Sequence, residues 1–324
     1  MKALSVKCAV CGKEFDTERQ LHGHLKAHKL RMAEYYQKYF PRKDKYSGEL
    51  IKFKSKDYYF DRDFNSRDNL RLWLKNQDEN VAAEYCKKIL ENRKDKKDIL
   101  NSPTQIELRS LMMPSIQVYN KYFDNYYDLC EGIGLIPRYE DVNSYNFPWK
   151  ALYPSEENPK DSLKNLEVYV DTREQKPLKF DAKVSIKNLK FGDYAFSYNG
   201  ETGSCRVERK SLPDFLSTMS GGYSRFVNEI ERAGESGVGL LVLVEEKFNN
   251  ALSFKYLPHI SKRIKATPEY IFHNVRELTQ SYPNVQFLFV DGRKECSRVT
   301  QKIFLNEKLF NDLDLQLAYD LNYL

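Results

Sequence analysis

Residues Gly192–Lys210 read GDYAFSYNGETGSCRVERK. A glycine turn delivers one carboxylate, Asp193. A short strand, a turn rich in Gly and Asn, and a second strand then bring Glu208 and Lys210. Strand residues two apart share a face, so Glu208 and Lys210 project together while Arg209 points away. A hairpin of this kind can hold a divalent cation between Asp193 and Glu208 and stand an ammonium beside it. Those groups are the minimal set for metal-assisted phosphodiester hydrolysis.

Working outward, LEVYVD (166–171) is an apolar strand ending in Asp171, with Thr172, Arg173 and Glu174 next. KVSIKNL is a further strand candidate. Ser211 caps a helix over SLPDFLSTMS, with Pro213 early in it, and YSRFVNEIERA is a second helix with Phe226 and Ile230 at i, i+4. Then come a buried strand (GLLVLVEE), a helix (TPEYIFHNVRELTQ), a strand (VQFLFVD) and a helix from Lys294 to about Leu309. A strand-rich start followed by strand–helix alternation predicts an α/β sheet with helices on its faces over residues 165–324.

Within that stretch VDTRE, GDY, VERKSLPDF and SGGYSRFVNEI occur in an order and spacing that resemble the XPF-type (XPF/Rad/Mus family) nuclease domain of the PD-(D/E)XK superfamily. The resemblance covers about 150 residues. It implies a restriction-endonuclease-like α/β core and hydrolysis of branched or otherwise structured DNA (flaps, forks, junctions), in the setting of DNA repair or recombination. Carried over position by position, Asp171, Asp193 and Glu208 are metal-binding carboxylates, and Lys210 orients the attacking water and offsets developing charge. Arg173 and Arg225 are candidate phosphate clamps. Glu174 and Arg209 match further family positions, Arg209 being a candidate DNA contact with a structural alternative. Asp214 suits a helix-start partner better than a ligand, and Tyr223 suits either a DNA contact or the core. An all-oxygen site implies Mg²⁺, with Mn²⁺ able to substitute. The resemblance also allows a homodimer or heterodimer through this domain. Paired helix-hairpin-helix motifs, frequent after such domains, have no counterpart after Leu309, so the chain's other modules are expected to grip DNA.

At the other end, Cys8-x2-Cys11-x12-His24-x3-His28 has the spacing of a C2H2-type, ββα zinc finger over residues 1–30. Phe15 and Leu21 fall at its two core positions, and a helix is expected from about Asp16 to Lys29. One structural Zn²⁺ is implied, since about 25 residues cannot bury a sufficient core alone. By resemblance to DNA-reading fingers, Thr17, Gln20 and Gly23 occupy base-facing positions, with Arg19 and Lys26 near phosphate. A lone finger covers only about 3 base pairs, so non-specific DNA contact and a structural or docking role are both open. His22 reads as a surface residue.

Residues 31–136 are an aromatic, basic, mainly helical region. In 31–65 basic residues alternate with Tyr and Phe, a pattern that suits single-stranded or distorted DNA or a small aromatic core with a solvated lysine face; the core is the favoured reading of the aromatics. Ser66 or Asn65 caps a helix in which Leu70, Trp73 and Leu74 share a face, and a helix over about Glu79–Arg93 stacks Val81, Tyr85, Ile89 and Leu90. Phe123-x2-Tyr126-x2-Leu129-x3-Ile133-Gly134-Leu135 resembles the short DNA-binding repeats that accompany homing endonucleases, with Tyr126 in place of the usual Trp. From 137 to 164 the composition reads as a linker.

Composition agrees with such an arrangement. The 324 residues allow two to three domains, 41% are hydrophobic, and the net charge is +6, permissive of nucleic acid. No apolar run approaches the roughly 20 residues of a membrane span. The start is unlike a signal or transit peptide, and the paired Cys8 and Cys11 fit metal binding in a reducing, intracellular setting better than disulfides. The expected architecture is therefore multi-domain: a ββα finger, a mostly helical middle and a C-terminal α/β nuclease domain, together a Mg²⁺-dependent DNA endonuclease. The alternatives are a site-specific homing-type enzyme and a non-catalytic zinc-finger or scaffold protein on a nuclease fold.

Overall fold

The computed structural model describes residues 6–97, 100–147, 163–258, 260 and 264–324. Their contacts divide the chain into two compact units, Met1–Cys86 and Lys87–Leu324.

The first unit opens with β1 (Val6–Lys7) paired antiparallel to β2 (Glu14–Phe15), then α1 (Glu18–His24) running into a 3-10 turn at Leu25–His28. Thr17 caps α1: its hydroxyl accepts the Gln20 N–H at 3.3 Å, while the Gln20 side chain accepts the Asp16 and Thr17 N–H groups. This capping box satisfies donors that a helix start leaves unpaired. Helices α2 (Met32–Tyr39) and α3 (Lys56–Asp61) follow. The boundary expected at residue 30 does not separate two bodies. Cys8, Leu21, Leu25, Tyr35, Tyr36, Ile51 and Tyr59 are buried in one cluster. The Ala9 N–H donates to the Tyr35 hydroxyl at 2.8 Å, His22 Nε2 meets the Tyr36 hydroxyl at 2.9 Å, and Lys56 pairs with Glu18. Residues 6–28 supply too few apolar side chains to close a core, and the aromatics of α2 and α3 supply the remainder. His22 is thus a seam residue rather than a free surface one, and the Tyr-rich run is chiefly core.

Helix α4 (Arg67–Lys75) starts at Ser66, whose hydroxyl accepts the Asn69 N–H. Its Trp73 packs against Phe64 and Tyr85, with ring centroids at 5.7 and 4.8 Å. In α5 (Glu79–Lys97) the buried stripe is Ala82, Cys86, Leu90 and Arg93, and Val81 is exposed. The expected face is therefore rotated, because small Ala82 and Cys86 allow close packing that hydropathy alone does not rank.

The second unit is organised by a seven-stranded sheet. Its strands are β3 (Leu166–Asp171), β4 (Lys183–Lys187), β5 (Tyr194–Tyr198), β6 (Glu201–Thr202), β7 (Cys205–Lys210), β8 (Gly239–Val244) and β9 (Val285–Phe289). The order is β4-β3-β5-β7-β8-β9 with β6 on β5; the β5 pairings are antiparallel, and β3–β4, β7–β8 and β8–β9 are parallel. Helices α9 (Leu212–Thr218), α10 (Tyr223–Glu235), α11 (Phe248–Leu252) and α12 (Pro268–Ser281) cover one face, where Phe215, Ile230 and Phe272 pack on Leu240, Val242, Val244, Phe287 and Phe289. On the other, α13 (Gly292–Leu305) stacks Phe304 on Phe196 at 4.4 Å, followed by α14 (Lys308–Asp312) and α15 (Leu315–Asp320). Strand β8 is apolar throughout because both of its faces are covered.

Helices α6 (Gln105–Ser110), α7 (Ile116–Tyr122) and α8 (Tyr126–Gly132) belong to this same unit. Asp314 and Asp320 accept hydrogen bonds from Gln105, and Asp320 pairs with Arg109 at 2.5 Å. Tyr126, the aromatic of the repeat-like stretch, is fully buried with its hydroxyl on the Pro103 carbonyl. The described part of the expected linker, 137–147, is packed rather than free. Arg138 donates to the carbonyls of Thr279 and Tyr282, the Tyr145 hydroxyl donates to Asp312, and Phe147 stacks on Tyr323. Its polar composition reflects these specific partners; residues 148–162, with Pro148, Pro154 and Pro159, lie outside the described part.

Candidate active site

Two clusters of chemistry-bearing residues stand out. In the first unit Cys8, Cys11, His24 and His28 bring their ligand atoms within 4.8 Å of one another. His24 Nε2 lies 3.0 Å from His28 Nε2 and 3.3 Å from Cys11 Sγ. Burial would raise the Cys8 thiol, but the backbone N–H groups of Cys11 and Val10 outweigh it and hold it below the ordinary range; burial and the charges of His28 and Lys13 lower His24. Thiolate and neutral imidazole are the forms that bind a metal. Two sulfurs and two Nε2 atoms at such separations fit one tetrahedral ion of the zinc type. Arg19 and Lys26 are exposed on the adjoining helix. Of the three base-facing positions, Thr17 and Gln20 are spent on the capping box and Gly23 has no side chain to offer.

In the second unit the turn before β5 sets the geometry. Gly192 has φ +69°, and a Cβ there would meet the Val207 carbonyl oxygen at 3.0 Å, so glycine is required. The Asp193 N–H donates to Val207 O at 2.8 Å, its carbonyl accepts the Asp171 N–H at 2.9 Å, and its Oδ2 accepts the Arg209 N–H at 2.8 Å. Asp193 is thereby pinned between β3 and β7. Glu208 and Lys210 share a face as expected, with Nζ and Oε1 2.7 Å apart and side chains only 17% and 11% exposed. The ammonium also lies 5.3 Å from the centre of the Phe226 ring. Burial, and then the Glu208 carboxylate, push Asp193 up to about 7, against the pull of the Arg209 N–H and Lys210. Two like charges in partial burial favour a proton or a cation between them.

Asp171 is placed differently. Its carboxylate is 1% exposed, accepts both the backbone N–H and Nε of Arg173 (2.8 and 2.6 Å), and accepts the Leu189 N–H at 2.7 Å. Burial would raise it, but these donors outweigh burial and hold it below the ordinary carboxylate range. The structure brings Asp193, Glu208 and Lys210 together. Among the described residues, Asp171, Asp193 and Glu208 do not converge as a three-carboxylate cluster. Arg173 is the common neighbour: its guanidinium is bound to Asp171 and further favoured by Asp193 and Glu208.

Arg209, expected as a candidate DNA contact, is otherwise engaged. It forks onto Glu174 at 2.9 and 3.2 Å and onto Glu245 at 3.0 Å, and Glu245 also takes Arg293. Arg225 is exposed on the first turn of α10. Asp214 takes the Ser211 hydroxyl at 2.5 Å as a helix-start partner, and Tyr223 packs half-buried against the core. Arg209→Ala, which strands Glu174 and leaves Glu245 with Arg293, is expected to lower the unfolding free energy by about 3–5 kcal/mol. Urea denaturation checks it, and a loss under about 1 kcal/mol would show the network to be decorative.

Three residues were not legible beforehand. Glu245 and Arg293 complete the Arg209 network. Glu229, one turn beyond Phe226 on α10, is raised by burial and by Glu208 and lowered by Lys210, Arg232 and Arg173. The charges of Glu208 and Lys210 both act on it. Its i+3 spacing from Phe226 is the only trace in the sequence, and the packing of α10 on the sheet gives that trace its meaning.

Residues 170–303 match the family model of the ERCC4 domain, a span running from β3 into α13 that includes Asp171, Asp193, Glu208, Lys210 and Arg225. No curated protein matches the chain. Among solved structures, XPF from Aeropyrum pernix is 21% identical over 42% of this chain and 64% of its own, with a TM-score of 0.32. The same protein in complex with DNA is 22% identical over 42% and 62%, with a TM-score of 0.33. The chain thus spans less than two thirds of those structures.

Proposed function

We propose that this protein is a divalent-metal-dependent DNA endonuclease acting on branched DNA, with a zinc-stabilised N-terminal unit. The observation that carries the reading is the Asp193, Glu208 and Lys210 group at the meeting of β5 and β7, inside the residues that match the ERCC4 domain.

Asp193 and Glu208 would hold Mg²⁺ or Mn²⁺, with Asp171 joining once Arg173 lets go. A bound ion of this kind supplies Lewis acidity to the phosphate and activates water. The protein's own groups do the rest. Asp193 is held at a fixed place by the Val207 and Arg209 backbone, so its carboxylate needs no reorganisation. Lys210, clasped by Glu208 and backed by the Phe226 ring, keeps a positive charge where negative charge builds on the phosphate oxygens. Arg225, exposed on α10, and Arg173, once released from Asp171, would clamp flanking phosphates. Attack by water with inversion leaves a 3′-hydroxyl and a 5′-phosphate. In the first unit Cys8, Cys11, His24 and His28 would bind one Zn²⁺, and Arg19 and Lys26 would meet phosphate rather than bases.

The deciding test incubates the purified full chain and Mg²⁺ with labelled flap, fork, four-way junction and linear duplex DNA. Cleavage confined to the branched substrates is the expected result. Cutting of linear duplex at one sequence would make it a site-specific enzyme, and no cutting of any substrate would sink the endonuclease reading.

A further inference from the structure

Asp171 already has a cation of the chain's own. It ends β3, one residue beyond the Val170–Tyr194 register pair, and its N–H donates to the Asp193 carbonyl at 2.9 Å. The two acids are neighbours across adjacent strands, yet among the described residues the carboxylates of Asp171, Asp193 and Glu208 do not converge. Arg173 holds Asp171 away from such a cluster. Its Nε donates to Asp171 Oδ1 at 2.6 Å and its Nη2 donates to the Leu189 carbonyl at 3.0 Å. The N–H groups of Arg173 and Leu189 take further lone pairs at 2.8 and 2.7 Å.

The two partners differ in how far they can move. The Asp171 carboxylate is 1% exposed, whereas the Arg173 side chain is 70% exposed. The guanidinium can swing away by side-chain rotation alone, and Asp171 then keeps both backbone donors, so the turn survives the change. Loss of charge cannot release it, because a guanidinium stays protonated at any working pH. Another anion must draw it off. An ion pair with one arm largely in water is weak, and a phosphate can take a guanidinium through two parallel hydrogen bonds. A DNA phosphate is therefore a competitor of the right chemistry.

We propose that Arg173 is an internal stand-in for the divalent cation, holding Asp171 until a DNA phosphate draws the guanidinium off and Asp171 can join Asp193 and Glu208 around the metal. This rests on the endonuclease reading above and adds what frees Asp171 and when. Metal and DNA then strengthen each other's binding by equal factors, and the cation is held loosely until substrate is in place.

The test titrates Mn²⁺ into the full chain by calorimetry, with no DNA present. Arg173→Gln is expected to tighten Mn²⁺ binding about tenfold. Asp171→Asn alone should shift it by less than about threefold, since Asp171 is not yet a ligand, and added to Arg173→Gln it should erase the gain. Asn keeps a carbonyl oxygen for the Leu189 or Arg173 N–H, so the turn is retained. Mere loss of a nearby positive charge would tighten Mn²⁺ whether or not Asp171 is present, and the cycle separates the two. A second measurement reads the DNA side. In a Lys210→Ala background, anisotropy gives the affinity for a labelled flap with and without Mn²⁺, and Mn²⁺ should strengthen binding more in that parent than when Arg173→Gln is added. The exchange is overturned by no gain in Arg173→Gln, by an equal gain without Asp171, or by an Mn²⁺ effect on flap affinity that ignores Arg173. A loss of about tenfold or more in Asp171→Asn alone would overturn it too, by showing Asp171 to be a ligand already. Mn²⁺ binding that Asp193→Asn abolishes and Arg173→Gln leaves unchanged would strike the exchange while the metal site stands. The endonuclease reading itself is decided separately on the substrate panel.

Discussion

Asp193→Asn and Lys210→Ala are each expected to slow phosphodiester cleavage by roughly 10³-fold, the scale on which loss of one preorganised electrostatic group is felt. Single-turnover assays on a flap substrate measure it, and undiminished cleavage in either variant would remove that residue from the centre. Asp193 carries a second signature. Its carboxyl is pushed from the ordinary 3.8 to about 7 in the fold, so between those values the folded chain keeps a proton that the unfolded chain has released. Stability of the metal-free protein should therefore fall as pH rises from about 4 to about 7 and level off above. Asn cannot titrate, so Asp193→Asn should abolish that part of the slope and raise the metal-free melting temperature at pH 8 while destroying activity. A divalent cation needs the ionised form. Its affinity should rise about tenfold per pH unit below 7 if one proton is displaced, which calorimetry in buffers of different ionisation enthalpy would detect.

Withdrawal of the proposed Zn²⁺ from the first unit is the other large expected effect. Structural zinc contributes about 10 kcal/mol or more to modules of finger size, so a strong chelator, or Cys8→Ser, should unfold the finger. The shared core makes the consequence wider. Cys8, Leu21 and Leu25 pack with Tyr35, Tyr36 and Tyr59, and Ala9 and His22 bond the Tyr35 and Tyr36 hydroxyls. Amides of α2 and α3 should therefore lose hydrogen-exchange protection together with those of α1, while β8 and β9 in the other unit keep theirs. Protection of α2 that survives metal loss would show that the finger and the aromatic helices fold independently.

Much of this was legible from local pattern. Short apolar runs mark β3, β8 and β9, a period of 3.6 marks α10 and α12, and Ser66, Ser211 and Thr267 cap their helices by short-range chemistry. The Cys and His spacing brings four ligands together because a hairpin and one helix suffice to do so. What failed to show depends on distant residues. The aromatic run 31–65 and the polar stretch 137–147 read as separate pieces, yet each is fixed by partners supplied from elsewhere in its own unit, such as Leu21 for Tyr36 and Asp312 for Tyr145.

The stretch Gly192–Lys210 by itself determined the candidate group: a glycine turn, a hairpin and the alternation of a strand put Asp193, Glu208 and Lys210 side by side, since all three constraints are local. Only the tertiary structure decided the roles around it. Asp171 turns to Arg173 and Leu189, Arg209 is caught between Glu174 and Glu245, and Glu229 arrives from α10. These choices are electrostatic, and a charge takes the partner that burial leaves within reach, which no spacing along the chain records.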